Sequence, residues 1–406
     1  MKKTLNTEYA FIQGSYWMIY GFVSSFASVF LLAKEYSNTE IGIILAAANI
    51  IAVLLQPFLA DLADRSKKIS LEGIILTITI MMMLMTACVT MQKSKSIMLT
   101  VVFALLIAWH TVLQPLIYTL SFKLQENGVH INFGVARGFG SLAYSGFMAV
   151  IGIMVNRHGI FVLPLSAEII MLILLCNLYL IRHQNSSLHY SQGKEYHRND
   201  NSCTVCSEEA LSEDINLLLF IKRNRVFCFA SIGVIGLFFS NSVMNNYMMQ
   251  IIADVGGNSA DMGRIMSLMA FLEIPTMFFF DLLRKRFTCQ SMLKIGALGF
   301  TAKIIVCHLS QSVGMLLAAQ FFQLIAFGLF LPAMVHFIDE IMQRGEAAKG
   351  QTVFTMMITM TTVFSSLAGG IILDISNAKM LTFVSSAATA AGALVILLTV
   401  DKIHKK

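Results

Sequence analysis

The sequence predicts an all-α membrane protein: twelve transmembrane helices in two pseudo-symmetric six-helix bundles. Three observations carry that prediction. The 406 residues are 56% hydrophobic and 13% charged, about half the charge of a soluble domain, which runs to roughly 25%. Apolar runs of about 20 residues, the length needed to cross a bilayer, recur along nearly the whole chain. A short motif that follows the second run returns, altered, after the eighth.

The runs fall at 9–32, 40–60, 70–91, 97–119, 132–155, 160–181, 226–251, 262–282, 290–310, 313–337, 351–373 and 380–400. Only 5 prolines are present, so long unbroken helices are sterically allowed. Lys2 and Lys3 precede the first run without a small-residue cleavage site, so it reads as a membrane helix and not as a removable signal. The stretch 182–217 is rich in Ser, Asn and His and reads as a cytoplasmic linker. It leaves six runs in 1–181 and six in 218–406.

Lys and Arg set the orientation. Arg65, Lys67, Lys68, Lys123, Arg182, Lys194, Arg198, Lys222, Arg223, Arg225, Arg284, Lys285, Arg286, Arg344 and Lys349 fall on one side; Lys34, Lys93, Lys95, Arg157, Arg264 and Lys379 fall on the other. An excess of about three to one marks the cytoplasmic side and places both termini there, in a multi-pass protein of the cytoplasmic membrane. The net charge of +6 sits in these short loops, so it reports orientation and not a nucleic-acid surface.

The repeated motif reads FLADLADRSKK from Phe58 and FFFDLLRKRFT from Phe278. Asp61 and Asp281 match, each followed by a basic run. Such an echo between halves predicts an axis along the membrane normal.

The 7 cysteines supply no disulfide framework. Cys203 and Cys206 form a lone CxxC, which without a second pair at metal spacing is a weak zinc signal. No metal and no cofactor are expected. HExxH, P-loop, GxGxxG and nucleophile-elbow motifs are missing, so no enzyme is expected and no ATP motor either.

Polar residues at membrane depth are costly, and each calls for a partner or a wet cavity. Arg137 in run five cannot be a packing residue; Ser141 and Tyr144, four and seven residues on, share its face. Glu273 and Lys303 lie roughly 5–10 Å apart in depth and predict a charge pair, structural or proton-carrying. Glu168 is a third deep carboxylate, which would either neutralise Arg137 or bond to a neighbouring helix. Run one carries Gln13, Tyr16, Trp17 and Tyr20. Run four carries His110, Gln114 and Tyr118; run seven carries Asn241, Asn245 and Asn246; run ten carries Gln320 and Gln323. These are the first of every three runs, a regularity that predicts a central pathway.

SNTEIGIILAAANIIAVLLQPFLADLADR, FGVARGFGSLAYSGFMAVIGIM and FLEIPTMFFFDLLRKRF with GALGFTAKIIV carry a resemblance. The chain resembles the major facilitator superfamily, and within it the lactose permease-like group of oligosaccharide, nucleoside and phenylpropionate proton symporters. The resemblance implies a monomeric secondary transporter that carries a small organic solute (a sugar, nucleoside or aromatic acid) by alternating access, with a proton. The polar stripes predict substrate binding at Gln13, Tyr16, Tyr20, His110, Gln114, Arg137, Ser141, Tyr144, Asn241, Asn245 and Asn246, and the resemblance implies that Arg137 binds the ligand while Tyr144 stacks on it. Glu273 and Lys303 would couple the proton, with Lys in place of the usual Arg. Asp61, Asp64, Arg65, Asp281, Arg284 and Lys285 would belong to gating loops. Ser242, Asn245 and Asn246 stand where the permease has acids, which points away from a galactoside. The alternative is a non-transporting membrane sensor or regulator that retains the fold.

Overall fold

The computed structural model describes residues 2–65, 70–126, 129, 131–196, 224–342 and 347–402. Among them every regular element is helical. The helices are α1 Lys2–Tyr20, α2 Ala27–Leu32, α3 Asn38–Arg65, α4 Leu71–Met91, α5 Ile97–Glu126, α6 Phe133–His158 and α7 Val162–Tyr196, then α8 Arg225–Asp254, α9 Ser259–Phe278, α10 Phe280–Arg284, α11 Cys289–Leu309, α12 Val313–Ala319, α13 Phe327–Ile341, α14 Ala347–Ile375 and α15 Ala378–Thr399.

Local chemistry explains the starts. Ser70 Oγ accepts from the Gly73 N–H, Thr288 Oγ1 from Ser291 and Asn377 Oδ1 from Met380. Each thereby satisfies an orphan donor of the first turn. At α9, Asn258 and Asp261 cap each other's backbone N–H groups reciprocally. Gly159 ends α6 at φ 84°, a conformation that costs a glycine little.

Ten helices are long and apolar enough to cross a membrane among the described residues. The two expected spans outside that set are helical but differ from the rest. Span 9–32 is divided by a π-helical turn, Gly21–Ser25, between α1 and α2. Span 262–282 corresponds to α9, which carries Asp261, Arg264 and Glu273 and stops at a kink at Phe279. The expected span 313–337 is also interrupted: a 3₁₀ turn, Gln320–Leu324, separates α12 from α13. Helix α7 runs to Tyr196, beyond residue 182 where the linker was expected to begin. No proline occurs between 182 and 196 to stop it. Residues 197–223, with Cys203 and Cys206, lie outside the described residues.

Helices before residue 197 pack chiefly on one another, α1 against α6 and α7, and α4 against α5 and α7; those after 223 do likewise, α8 against α14 and α15. The two sets meet where α3 touches α14 and α6 touches α9. Asn38 begins α3 and Asp374 ends α14, and they are hydrogen-bonded at 2.9 Å. One face therefore holds the start of α3 and the end of α14. The start of α1 and the end of α15 lie at the other, here called the terminal face.

Small residues make the seam close. A Cβ on Gly42 would sit 2.4 Å from the Ser366 carbonyl oxygen, and one on Gly263 2.4 Å from that of Met148. Such backbone approach is how membrane helices gain dispersion contact without a hydrophobic driving force. Ser145 Oγ adds a hydrogen bond to the Ser267 carbonyl at 2.9 Å. Asp374 takes the backbone N–H of Asn38 at 3.1 Å and of Thr39 at 2.7 Å. Gln250 Nε2 donates to Asn38 Oδ1 at 3.0 Å. Toward the terminal face, Leu54 and Phe58 of α3 and Met356 and Met360 of α14 are exposed.

Candidate functional site

Between the two sets lies a cavity of about 160 Å³, lined by Trp17, Tyr20, Arg137, Ser141 and Tyr144 on one side. Asn241, Asn245, Met266, Met269, Ala270, Glu273, Gln323 and Phe327 line the other. One enclosed water needs roughly 10–15 Å³ on this measure, so the space suits a solute larger than a few waters.

The wall from α1 and α6 is built around Arg137. Its guanidinium carbon lies 4.0 Å from the centre of the Trp17 ring, a cation–π arrangement worth up to about 2 kcal/mol when desolvated. Its Nη1 donates to Ser141 Oγ at 2.7 Å, one turn along α6. Gly140 makes room for the indole, since a Cβ there would be 2.7 Å from Trp17 Cδ1. The indole Nε1–H is buried without an acceptor. The Tyr144 hydroxyl and Ser25 Oγ share a 2.8 Å hydrogen bond. Ser25 is supplied by the π turn, so the interruption of the first span orients a cavity residue.

The opposite wall depends on the other interruption. Met266, Met269, Ala270 and Glu273 follow one face of α9. Lys303 Nζ on α11 donates to Gln323 Oε1 at 2.6 Å, and Gln323 Nε2 donates to Glu273 Oε1 at 2.7 Å. Gln323 sits in the 3₁₀ turn between α12 and α13. The charge pair expected between Glu273 and Lys303 is thus bridged through a neutral amide. Lys303 is only 4% exposed, so its charge rests on that amide oxygen and the carboxylate beyond it.

The structure brings Tyr20, Arg137, Ser141, Tyr144, Asn241, Asn245 and Glu273 to one cavity. Gln13, Tyr16, His110, Gln114 and Asn246 do not line it. Gln13 Nε2 donates to the Tyr9 hydroxyl at 2.8 Å. Tyr16 stacks on His110 with ring centres 4.4 Å apart. Gln114 Nε2 donates to the Tyr118 hydroxyl at 2.9 Å, and Asn246 Nδ2 to Ser366 Oγ at 2.9 Å. Tyr16 with His110 and Asn246 with Ser366 thus join neighbouring helices, while Gln13 and Gln114 bond one turn away within their own helices. Glu168 lies elsewhere, in a groove between α4 and α7.

Arg284 pairs with Glu340 at 3.1 Å and approaches His336 Nδ1 at 3.2 Å, while Asp281 and Lys285 are exposed. Asp61 stands exposed on α3, and the side chains of Asp64 and Arg65 lie outside the described residues. The described residues hold no group of three or more His, Cys, Asp or Glu arranged for a metal. Met266, Met269, Ala270 and Phe327 are cavity residues with no sequence signal of their own. Trp17 had one, its place beside Tyr16 in the aromatic stripe, but spacing alone does not separate the two.

Residues 9–384 match the MFS_1-like family model. The chain belongs to that family. A curated relative, the uncharacterized transporter YwbF of Bacillus subtilis (strain 168), is 21% identical over 378 residues, covering 90% of this chain and 87% of the relative. The crystal structure of the nucleoside transporter NupG superposes with a TM-score of 0.79 at 14% identity, covering 97% of this chain and 98% of that one. An auto-inhibited POT family peptide transporter superposes at 0.72 and 12% identity, covering 100% and 98%. The family member described here is therefore a multi-pass membrane protein of the MFS type.

Proposed function

We propose that the chain is a secondary active transporter that moves a small organic solute across the cytoplasmic membrane by alternating access, coupled to a proton. The observation that carries this reading is the cavity where Arg137 on one wall faces Glu273, Gln323, Asn241 and Asn245 on the other. A ligand that touches both walls interacts differently with each relative position of the helix sets, which is what lets ligand binding bias a conformational equilibrium.

In this reading two six-helix bundles, 1–181 and 218–406, joined by a linker at 182–217, rock about the cavity. Both termini lie in the cytoplasm, as the Lys and Arg distribution favours. The seam at Asn38 and Asp374 then closes the outer face, and solute leaves toward the terminal face. Arg137, Ser141 and the Trp17 ring favour a solute with an acceptor group beside a flat ring; sugars, nucleosides and aromatic acids share those features. The transporter names of the relatives agree, since one carries nucleosides and another peptides by title. Glu273 is the carboxylate proposed to take up and release the proton, with Lys303 modulating it through Gln323.

Reconstitution into proteoliposomes with a panel of sugars, nucleosides and aromatic acids tests the proposal. At least one solute should accumulate under an imposed pH gradient, and Arg137→Ala should abolish it. A panel member that binds yet gives no counterflow would favour the sensor alternative.

A further inference from the structure

The groove that holds Glu168 lies on the outer circumference of the helices, away from the central cavity. It has about 410 Å³ and is lined by Met83, Leu84, Ala87, Thr90 and Met91 of α4, by Leu165 and Glu168 at the start of α7, and by Phe161 just before it. Both helices are long and apolar enough to span a membrane. Leu84 and Met91 are 68% and 80% exposed, so this wall looks out to where acyl chains run. An uncompensated carboxylate here is expensive, and Glu168 Oε1 is buried without a hydrogen-bond partner.

The polarity of the groove is one-sided. Thr90 is the other polar side chain in its lining, and its hydroxyl hydrogen is committed to the Thr86 carbonyl at 2.8 Å. What Thr90 and Glu168 offer a ligand is oxygen lone pairs alone. A primary ammonium, with three donors, a positive charge and no acceptor, is the complementary group. Glu168 is seven residues from Phe161, the residue that lines the groove's upper end, hence about 10 Å below it along the helix. That depth is just past the interfacial layer, within reach of a lipid headgroup drawn inward.

We infer that this groove binds an ethanolamine-headed phospholipid, its ammonium on Glu168, beneath Thr90, and an acyl chain along Met83 and Leu84. The site is independent of the central cavity and of the transport reading.

Native mass spectrometry of the full-length protein, extracted from nanodiscs containing equal parts phosphatidylethanolamine, phosphatidylcholine and phosphatidylglycerol, tests it. The native chain should retain phosphatidylethanolamine in preference to phosphatidylcholine, whose trimethylated nitrogen donates no hydrogen bond. Loss of one charge-assisted pair should cut that preference about tenfold in Glu168→Gln. Leu84→Trp, which fills the groove and leaves the acid in place, should lower retention of every lipid there. Equal retention of the three lipids by the native chain overturns the inference, and so does an unchanged preference in Glu168→Gln. Elution of each variant as a monodisperse peak excludes misfolding as the cause.

Discussion

Glu273 and Lys303 are joined without touching: Gln323 stands between them, accepting from the amine at 2.6 Å and donating to the carboxylate at 2.7 Å. The relay hangs on a residue from a 3₁₀ turn, a geometry poorer than the α-helix around it and easier to rearrange. A movement of that turn alters both ends of the relay together.

Glu273→Gln should therefore separate coupling from translocation. Accumulation driven by a pH gradient is expected to disappear while counterflow persists. Retained gradient-driven accumulation would remove Glu273 from the proton path.

Two buried glutamines give opposite expectations. Gln323→Leu strips Lys303 of its acceptor, and an unsatisfied buried group costs about 1–3 kcal/mol, more when charged. A lower Tm in detergent should result. Gln13→Leu removes an amide whose Oε1 already lacks a partner, leaving Tyr9 its bond to the Ile117 carbonyl. Tm and apparent substrate affinity should stay within error. Equal losses in the two variants would contradict this account of the amides.

Arg137→Lys keeps a positive charge but loses the flat cation over Trp17 and the directed bond to Ser141. An apparent KM raised about tenfold is expected, equivalent to roughly 1–2 kcal/mol. Trp17→Phe, which preserves a ring face but a weaker one, should shift KM less. The reverse ranking would mean that the indole face matters more to the solute than the planar, directed geometry of the guanidinium.

Asp374→Asn should loosen the seam opposite the terminal face, because a neutral amide oxygen is a weaker acceptor for the Asn38 and Thr39 N–H groups. Gly42→Val should do so sterically, given the 2.4 Å separation from the Ser366 oxygen that a Cβ would have. In a background without native cysteines, Asn245→Cys should then react faster with an impermeant maleimide applied from that face. Unchanged labelling in both variants would show that the seam does not gate access.

Much of the helix content is legible in the sequence because hydrocarbon forces a visible length on any crossing segment. The interruptions are less legible. Gly21–Ser25 and Gln320–Leu324 contain no proline, so their departure from α geometry lacks the commonest sequence signal of a break. Facing is harder still: a membrane helix is apolar all round, so a stripe such as Tyr16, Trp17 and Tyr20 does not declare which member turns inward. Arg137 and Glu273 were legible because charge at depth has few explanations. Asp374 was not, since an acid at the end of a run resembles any loop residue until Asn38 arrives beside it from a distant part of the chain.

Two of the contacts that Asp374 makes end on peptide nitrogens of residues 38 and 39. Peptide nitrogens are shared by nearly every amino acid, so side-chain drift at Thr39 removes its hydroxyl's bond to Asp374 but leaves the backbone contact in place. The tightness of closure on that side can thus be graded from a single codon, that of the acid, by choosing a longer, shorter or neutral side chain. A designer wishing to trap the molecule open or shut has one place to begin.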